Sequence, residues 1–176
     1  MNFIATPLKG AYVLDSEAHV DERGSFARIF CIEEFRAQGL ETHVAQCSTS
    51  FTKRRGTLRG MHYQVQPYAE CKLIRCTAGS IYDVIVDLRP ESPTYKHWYA
   101  IELSARNRRL MYVPKGFAHG FQALEDSTEV FYMISAPYDP ASARGVPWDD
   151  PSLAIDWPIS NPIVHERDMG FPRLGR

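Results

Sequence analysis

Arg59-Gly-Met-His-Tyr-Gln64, then Lys72, then Tyr132, supply three reactive groups in one chain: an imidazole, an ammonium and a phenol. Together they suit the movement of a proton on and off a carbon next to a ketone. The imidazole of His62 takes the proton and the Lys72 cation holds the enolate oxygen. The Tyr132 phenol returns a proton to the opposite face. Each has an ordinary alternative role. A lone strand histidine is commonly a hydrogen-bonded wall residue, a lone strand lysine is solvated, and Tyr132 shares its expected strand face with Val130 and Ile134, as a core tyrosine would. The reading therefore depends on what positions them, with the expectation that His62, Lys72 and Tyr132 reach one cavity.

The elements that must position them read as strands. Short runs rich in β-branched and aromatic residues cover 11–14, 25–30, 43–51, 72–77, 81–87, 98–103, 109–113, 120–124 and 130–135. Turn signals such as Arg55-Gly56, Ala78-Gly79, Arg89-Pro90 and Pro114-Lys-Gly116 separate them, which predicts a sandwich or barrel. One helix is expected over 32–38, stopped by Gly39. Beyond Pro137 the periodicity fades, and Trp148, Trp157 and Phe171 call for an ordered tail that wraps the body. Arg59 and His62 would face opposite sides of a regular strand, so an irregularity is expected at Gly60.

The 176 residues predict a single domain over 1–176. With 44% apolar and 23% charged residues the composition is globular, and the net charge of −1 speaks against general nucleic-acid or polybasic membrane binding. No apolar run is long enough for a membrane span. Cys31, Cys47, Cys71 and Cys76 lack CxxC spacing and read as free thiols in a reducing compartment. With no cationic stretch and apolar core at the N-terminus, the expected location is the cytoplasm.

The segments around Gly60 and from Pro114 to Phe121 resemble the two half-motifs of cupins. A metal there would have His62, His119 and Glu70, one imidazole short of the usual set. No metal and no organic cofactor is the expectation.

A more specific resemblance covers residues 21–168. It rests on Asp21-Glu-Arg-Gly24, Gly56-Thr-Leu-Arg-Gly-Met-His-Tyr-Gln64, Lys72-Leu-Ile-Arg75, Tyr82-Asp-Val-Ile-Val-Asp-Leu-Arg89, Pro114-Lys-Gly-Phe-Ala-His-Gly-Phe121, Arg144-Gly-Val-Pro-Trp-Asp-Asp-Pro151 and Ile155-Asp-Trp-Pro158. These blocks, in this order, resemble the dTDP-4-dehydrorhamnose 3,5-epimerase family. The resemblance implies an all-β, cupin-type jelly-roll barrel with a short helix and a C-terminal wrapping tail. It also implies a homodimer with strand exchange and a nucleotide-diphosphate 4-keto-6-deoxy sugar as substrate. By the same resemblance His62 is the base, Asp168 its paired carboxylate, Lys72 the cation at O4 and Tyr132 the acid. Arg23, Gln46, Arg59 and His119 line the substrate region, with Arg23 serving the neighbouring subunit.

The chain departs from the common pattern at Glu70-Cys71-Lys72, at Gln46-Cys47-Ser48 and at Met133. The nucleotide stays open among dTDP (the default), CDP and GDP, and so does the choice between C3, C5 or both. Two rival functions stay open as well: a metal-dependent cupin oxygenase or isomerase, and a non-catalytic sugar-nucleotide-binding jelly roll.

Overall fold

In the computed structural model, which describes residues 1–175, strands follow one another along nearly the whole chain. Arg176, the last residue of the expected 1–176 domain, lies outside the described residues. The elements are β1 (Asn2–Ala5), β2 (Tyr12–Asp15), β3 (Ala18–Asp21), β4 (Gly24–Ala27), α1 (Ile32–Ala37), β5 (Gln46–Thr52), β6 (Thr57–Gln64) and β7 (Lys72–Ala78). Then come β8 (Ser80–Asp87), β9 (Trp98–Ser104), β10 (Leu110–Val113), β11 (Phe117–Ala123), β12 (Thr128–Ile134), β13 (Ala143–Gly145), β14 (Ile163–Val164) and α2 (Glu166–Met169).

Two sheets face each other as a cupin-type jelly roll. One runs β1-β2-β10-β7-β12-β5 and the other β13-β6-β11-β8-β9, with β14 added in parallel to β6. Alternation along each strand decides what lies between them. From β8 come Ile81 and Ile85, from β7 Ile74 and Cys76, from β11 Phe117 and Phe121, and from β12 Val130, all in one buried cluster. Each large apolar side chain so buried is worth about 1.5–3 kcal/mol.

The opposite faces are covered too, which is why β8 carries apolar residues on both faces. Its Val84 and Val86 lie under Val146, Leu153 and Trp157 of the tail. That tail wraps the second sheet as expected and is tied down by hydrogen bonds: Gln122 exchanges two with the Ile159 backbone, and Leu174 N–H donates to Asp150. On the outside of the first sheet α1 buries Phe35 against Phe3 and Tyr112. The helix stops where Gly39 takes φ +69°, a conformation a glycine adopts without cost.

The segment expected as a strand over 25–30 is extended only to Ala27. It pairs with β3 alone, in a hairpin detached from both sheets. Beyond it Arg28 turns to Glu34 and Phe30 packs on Phe35, so α1 draws this stretch away from strand geometry.

Candidate active site

The expected irregularity stands at Gly60. His62 is opposite His119 and Arg59 opposite Phe121, so three steps along β6 match two along β11. This extra residue puts Arg59 and His62 on one side. Gly60 takes φ +141°, and a Cβ there would lie 2.5 Å from the Gly120 Cα. Only two glycines facing each other let the strands approach so closely.

His62 Nε2 donates to Asp168 Oδ1 at 2.8 Å. Asp168 is only 5% exposed, and its other oxygen accepts the Gly60 N–H at 3.1 Å. Burial works to raise the Asp168 pKa. The hydrogen bond and charge of His62, with the Gly60 N–H, outweigh it and hold the carboxyl below its usual value. A carboxylate in this place keeps the proton on Nε2 and leaves Nδ1 with the lone pair. The short helix α2 delivers Asp168, and His165 caps it by accepting the Arg167 N–H. Phe171 then sets its ring edge-to-face on the His62 ring, 5.7 Å between centroids.

A second histidine–carboxylate pair lies behind the first. His119 Nε2 donates to Asp83 Oδ1 at 2.7 Å, both residues being buried. Tyr132 packs edge-to-face on His119 at 6.0 Å. Burial pushes the Tyr132 phenol far above its usual range; the Asp83 charge adds to this and Arg59 opposes it. The phenol thus holds its proton throughout the neutral range.

His62, Asp168, Tyr132, His119 and Arg59 line one cavity of about 590 Å³. Gln46 and Lys72 line a second, of about 220 Å³. The two adjoin, since His62 and Arg167 line both. Tyr132 and Lys72 thus line different parts of this adjoining space, with His62 common to both. Lys72 stands opposite Ile134 in the β7–β12 register, two residues on from Tyr132. Two residues on one strand face are about 6.6 Å apart, so β12 runs beneath both cavities. Ile134 lines the smaller one, while Val130 lies wholly in the core below Tyr132 and lines neither.

Lys72 donates to the His62 carbonyl at 3.2 Å and pairs with Glu70 at 3.1 Å. Gln46 accepts from the Tyr138 N–H. Arg59 spends Nε on Thr52 and one amino group on the Phe51 carbonyl, both near 3.1 Å, with its second amino group left over. Arg23 is not part of either cavity. It sits on the β3–β4 hairpin, exposed and paired with Asp21.

Nε2 of His62 and Nε2 of His119 each face a carboxylate, and Glu70 faces Lys72. Among the described residues no group of three or more His, Cys, Asp or Glu could hold a metal ion.

Arg167, His165, Phe171 and Arg144 also stand at the site, with little in the sequence to mark them. Arg167 has one signal, its place beside Asp168; Arg144 and Phe171 are brought in by β13 and the tail, which no local pattern reveals.

The family model for dTDP-4-dehydrorhamnose 3,5-epimerase matches residues 5–175. A dTDP-4-dehydrorhamnose 3,5-epimerase of Methanothermobacter thermautotrophicus is 42% identical over 98% of this chain and 94% of its own. A dTDP-4-dehydrorhamnose 3-epimerase of Streptomyces niveus is 38% identical over 92% of this chain and 78% of its own. The crystal structure of the Bacillus anthracis 3,5-epimerase with TDP and PPi bound superposes with a TM-score of 0.95 at 40% identity, covering 98% of this chain and 99% of that one.

Proposed function

From the premise that the chain belongs to the dTDP-4-dehydrorhamnose 3,5-epimerase family, we propose that it epimerises C3, C5 or both in a nucleotide-diphosphate 4-keto-6-deoxy sugar. The default substrate is dTDP-4-dehydro-6-deoxyglucose, and the product is then dTDP-4-dehydrorhamnose. The observation that carries the reading is the His62–Asp168 pair, with its carboxylate buried and its imidazole facing the same cavity as the Tyr132 phenol.

The C4 ketone acidifies the hydrogens on C3 and C5. His62 Nδ1 takes one of them, and Asp168 stabilises the imidazolium that results. The electron pair left on carbon moves to O4, where the Lys72 ammonium meets it. One preorganised donor of this kind is worth about 10²–10³ in rate. Tyr132, or water, gives a proton to the opposite face, and the carbon is inverted. The proton on His62 then leaves to solvent, and Tyr132 regains its own. Repetition at the second carbon inverts both. Arg59 and Arg167 suit the diphosphate, since a guanidinium fork matches phosphate geometry.

The reading treats residues 1–176 as one functional domain that works as a homodimer. Val20 and Phe26 support a dimer: they are 76% and 75% exposed on a hairpin that pairs with neither sheet. A cytoplasmic setting is part of the same reading. It is supported by four unbridged cysteines, and no helix among the described residues is long and apolar enough to cross a membrane.

The test is incubation in deuterated water with 4-keto-6-deoxy sugars carrying thymidine, cytidine or guanosine diphosphate. Deuterium at C3 or C5 with net inversion is expected. Its absence with all three would end the reading.

A further inference from the structure

We infer that Glu70 is a positioning residue for the reaction, aiming the Lys72 ammonium at the substrate oxygen. The inference rests on the epimerase reading and adds to it a residue that acts through Lys72.

An ammonium has three protons to donate. One goes to the His62 carbonyl at 3.2 Å, and the ammonium is ion-paired with Glu70 Oε1 at 3.1 Å. The ammonium still has protons to offer, on a side chain that lines the cavity beside Gln46 and His62. The carbonyl and the carboxylate thus fix where the ammonium sits. A lysine on its flexible stem has no such place of its own. The first partner is the backbone of the base itself, so the cation is held in register with His62.

Glu70 is suited to this. Its side chain is 6% exposed and that of Lys72 12%, so water does not screen the pair. Oε2 of Glu70 is buried and has no hydrogen-bond partner, so among the described residues Lys72 is the only cation that answers this carboxylate. A solvated glutamate would pair loosely and leave the lysine mobile; this one is bound to it. Glu70 also follows Gln66-Pro67 and directly precedes Cys71, whose N–H is held by Ser135 Oγ, so the loop that carries it is anchored.

The experiment measures kcat and KM for deuterium exchange in Glu70→Gln and Glu70→Ala, each made in the wild-type and in a Lys72→Met background. A carboxamide keeps the shape and polarity of the side chain beside Lys72 but loses the charge of the ion pair. Glu70→Gln is expected to lower kcat about tenfold. Glu70→Ala, which removes the carboxylate, is expected to lower it about 10²-fold, with KM in both changed less than about twofold. In the Lys72→Met background neither substitution should lower kcat further, because no ammonium remains to be aimed.

Equal losses in both backgrounds would overturn the inference, and so would wild-type kcat in Glu70→Ala. If Glu70→Ala does not fold, the two Glu70→Gln proteins decide the matter by the same comparison. Absence of exchange in the wild-type protein would instead remove the epimerase premise, an outcome distinct from a Glu70 substitution that has no effect.

Discussion

His62 and Asp168 are 106 residues apart in the chain and 2.8 Å apart in space. The Asp168 carboxyl sits below the value near 3.9 that it has in an unfolded chain. The pair therefore contributes stability above about pH 4, and that contribution is lost as pH falls through the depressed folded value. Asp168→Asn should lower the melting temperature at neutral pH, with the difference from wild type shrinking on acidification. It should also lower kcat about 10²-fold or more with little change in KM, since it leaves His62 without the group that fixes its tautomer. A constant melting difference down to about pH 2 would refute the linkage. Tyr132→Phe tests the other face. His62 can still remove and return a proton on its own side, so deuterium exchange should outlast net inversion. Equal loss of both would make Tyr132 a positioning residue, and inversion at the wild-type rate would hand the acid role to water. Of these residues, His62 and Lys72 stand in compact motifs that the sequence displays. Asp168 gave no such local signal, because its meaning depends on a tail that returns across the second sheet.

Strand β6 is where one element serves the site. The period of a strand alone sets Arg59 and His62 on opposite sides, and the bulge that reconciles them is present. Gly60→Ala would place a Cβ 2.5 Å from Gly120 Cα and 3.2 Å from the His119 carbonyl, at a φ of +141°. Backbone, not a flexible side-chain end, would have to move. A loss of about 3 kcal/mol is expected from denaturant unfolding. Exchange activity of the folded fraction should also fall, because His62 and its pairing with His119 are re-aimed. A variant of wild-type stability and activity would mean that the two strands separate freely there. The same strand shows the limit of local reading. Strands with clear apolar alternation, such as β7 and β12, were legible within a residue or two. The edge strand β1 and the two-residue β14 were not, since their pairing with β2 and β6 comes from the rest of the fold. Nor was α2, four residues long, which stands on the His165 cap rather than on propensity.

At the scale of the molecule, the β3–β4 hairpin is the part the single chain leaves unexplained. It exposes Val20 and Phe26, pairs with neither sheet, and carries Arg23 outside both cavities. A hairpin with an apolar surface and free edges costs solubility unless something covers it. In a two-fold dimer each hairpin would lie on the other subunit, and Arg23 would complete the other subunit's diphosphate site. Val20→Asp with Phe26→Asp should then sediment as a monomer with its fold intact by circular dichroism. Arg23→Ala should stay dimeric and lose turnover at substrate concentrations below KM, where a binding arginine is felt most. A mixture separates the two ways Arg23 could act. Arg23→Ala and His62→Ala proteins, unfolded together and refolded, form mixed dimers. In these, the Arg23→Ala subunit keeps its His62 and receives an intact Arg23 from the other subunit. One complete site per mixed dimer follows, so random assortment should restore about a quarter of the wild-type activity. If Arg23 served its own subunit, every site in the mixture would lack either the base or the arginine, and the activity would stay at the sum of the two separate proteins.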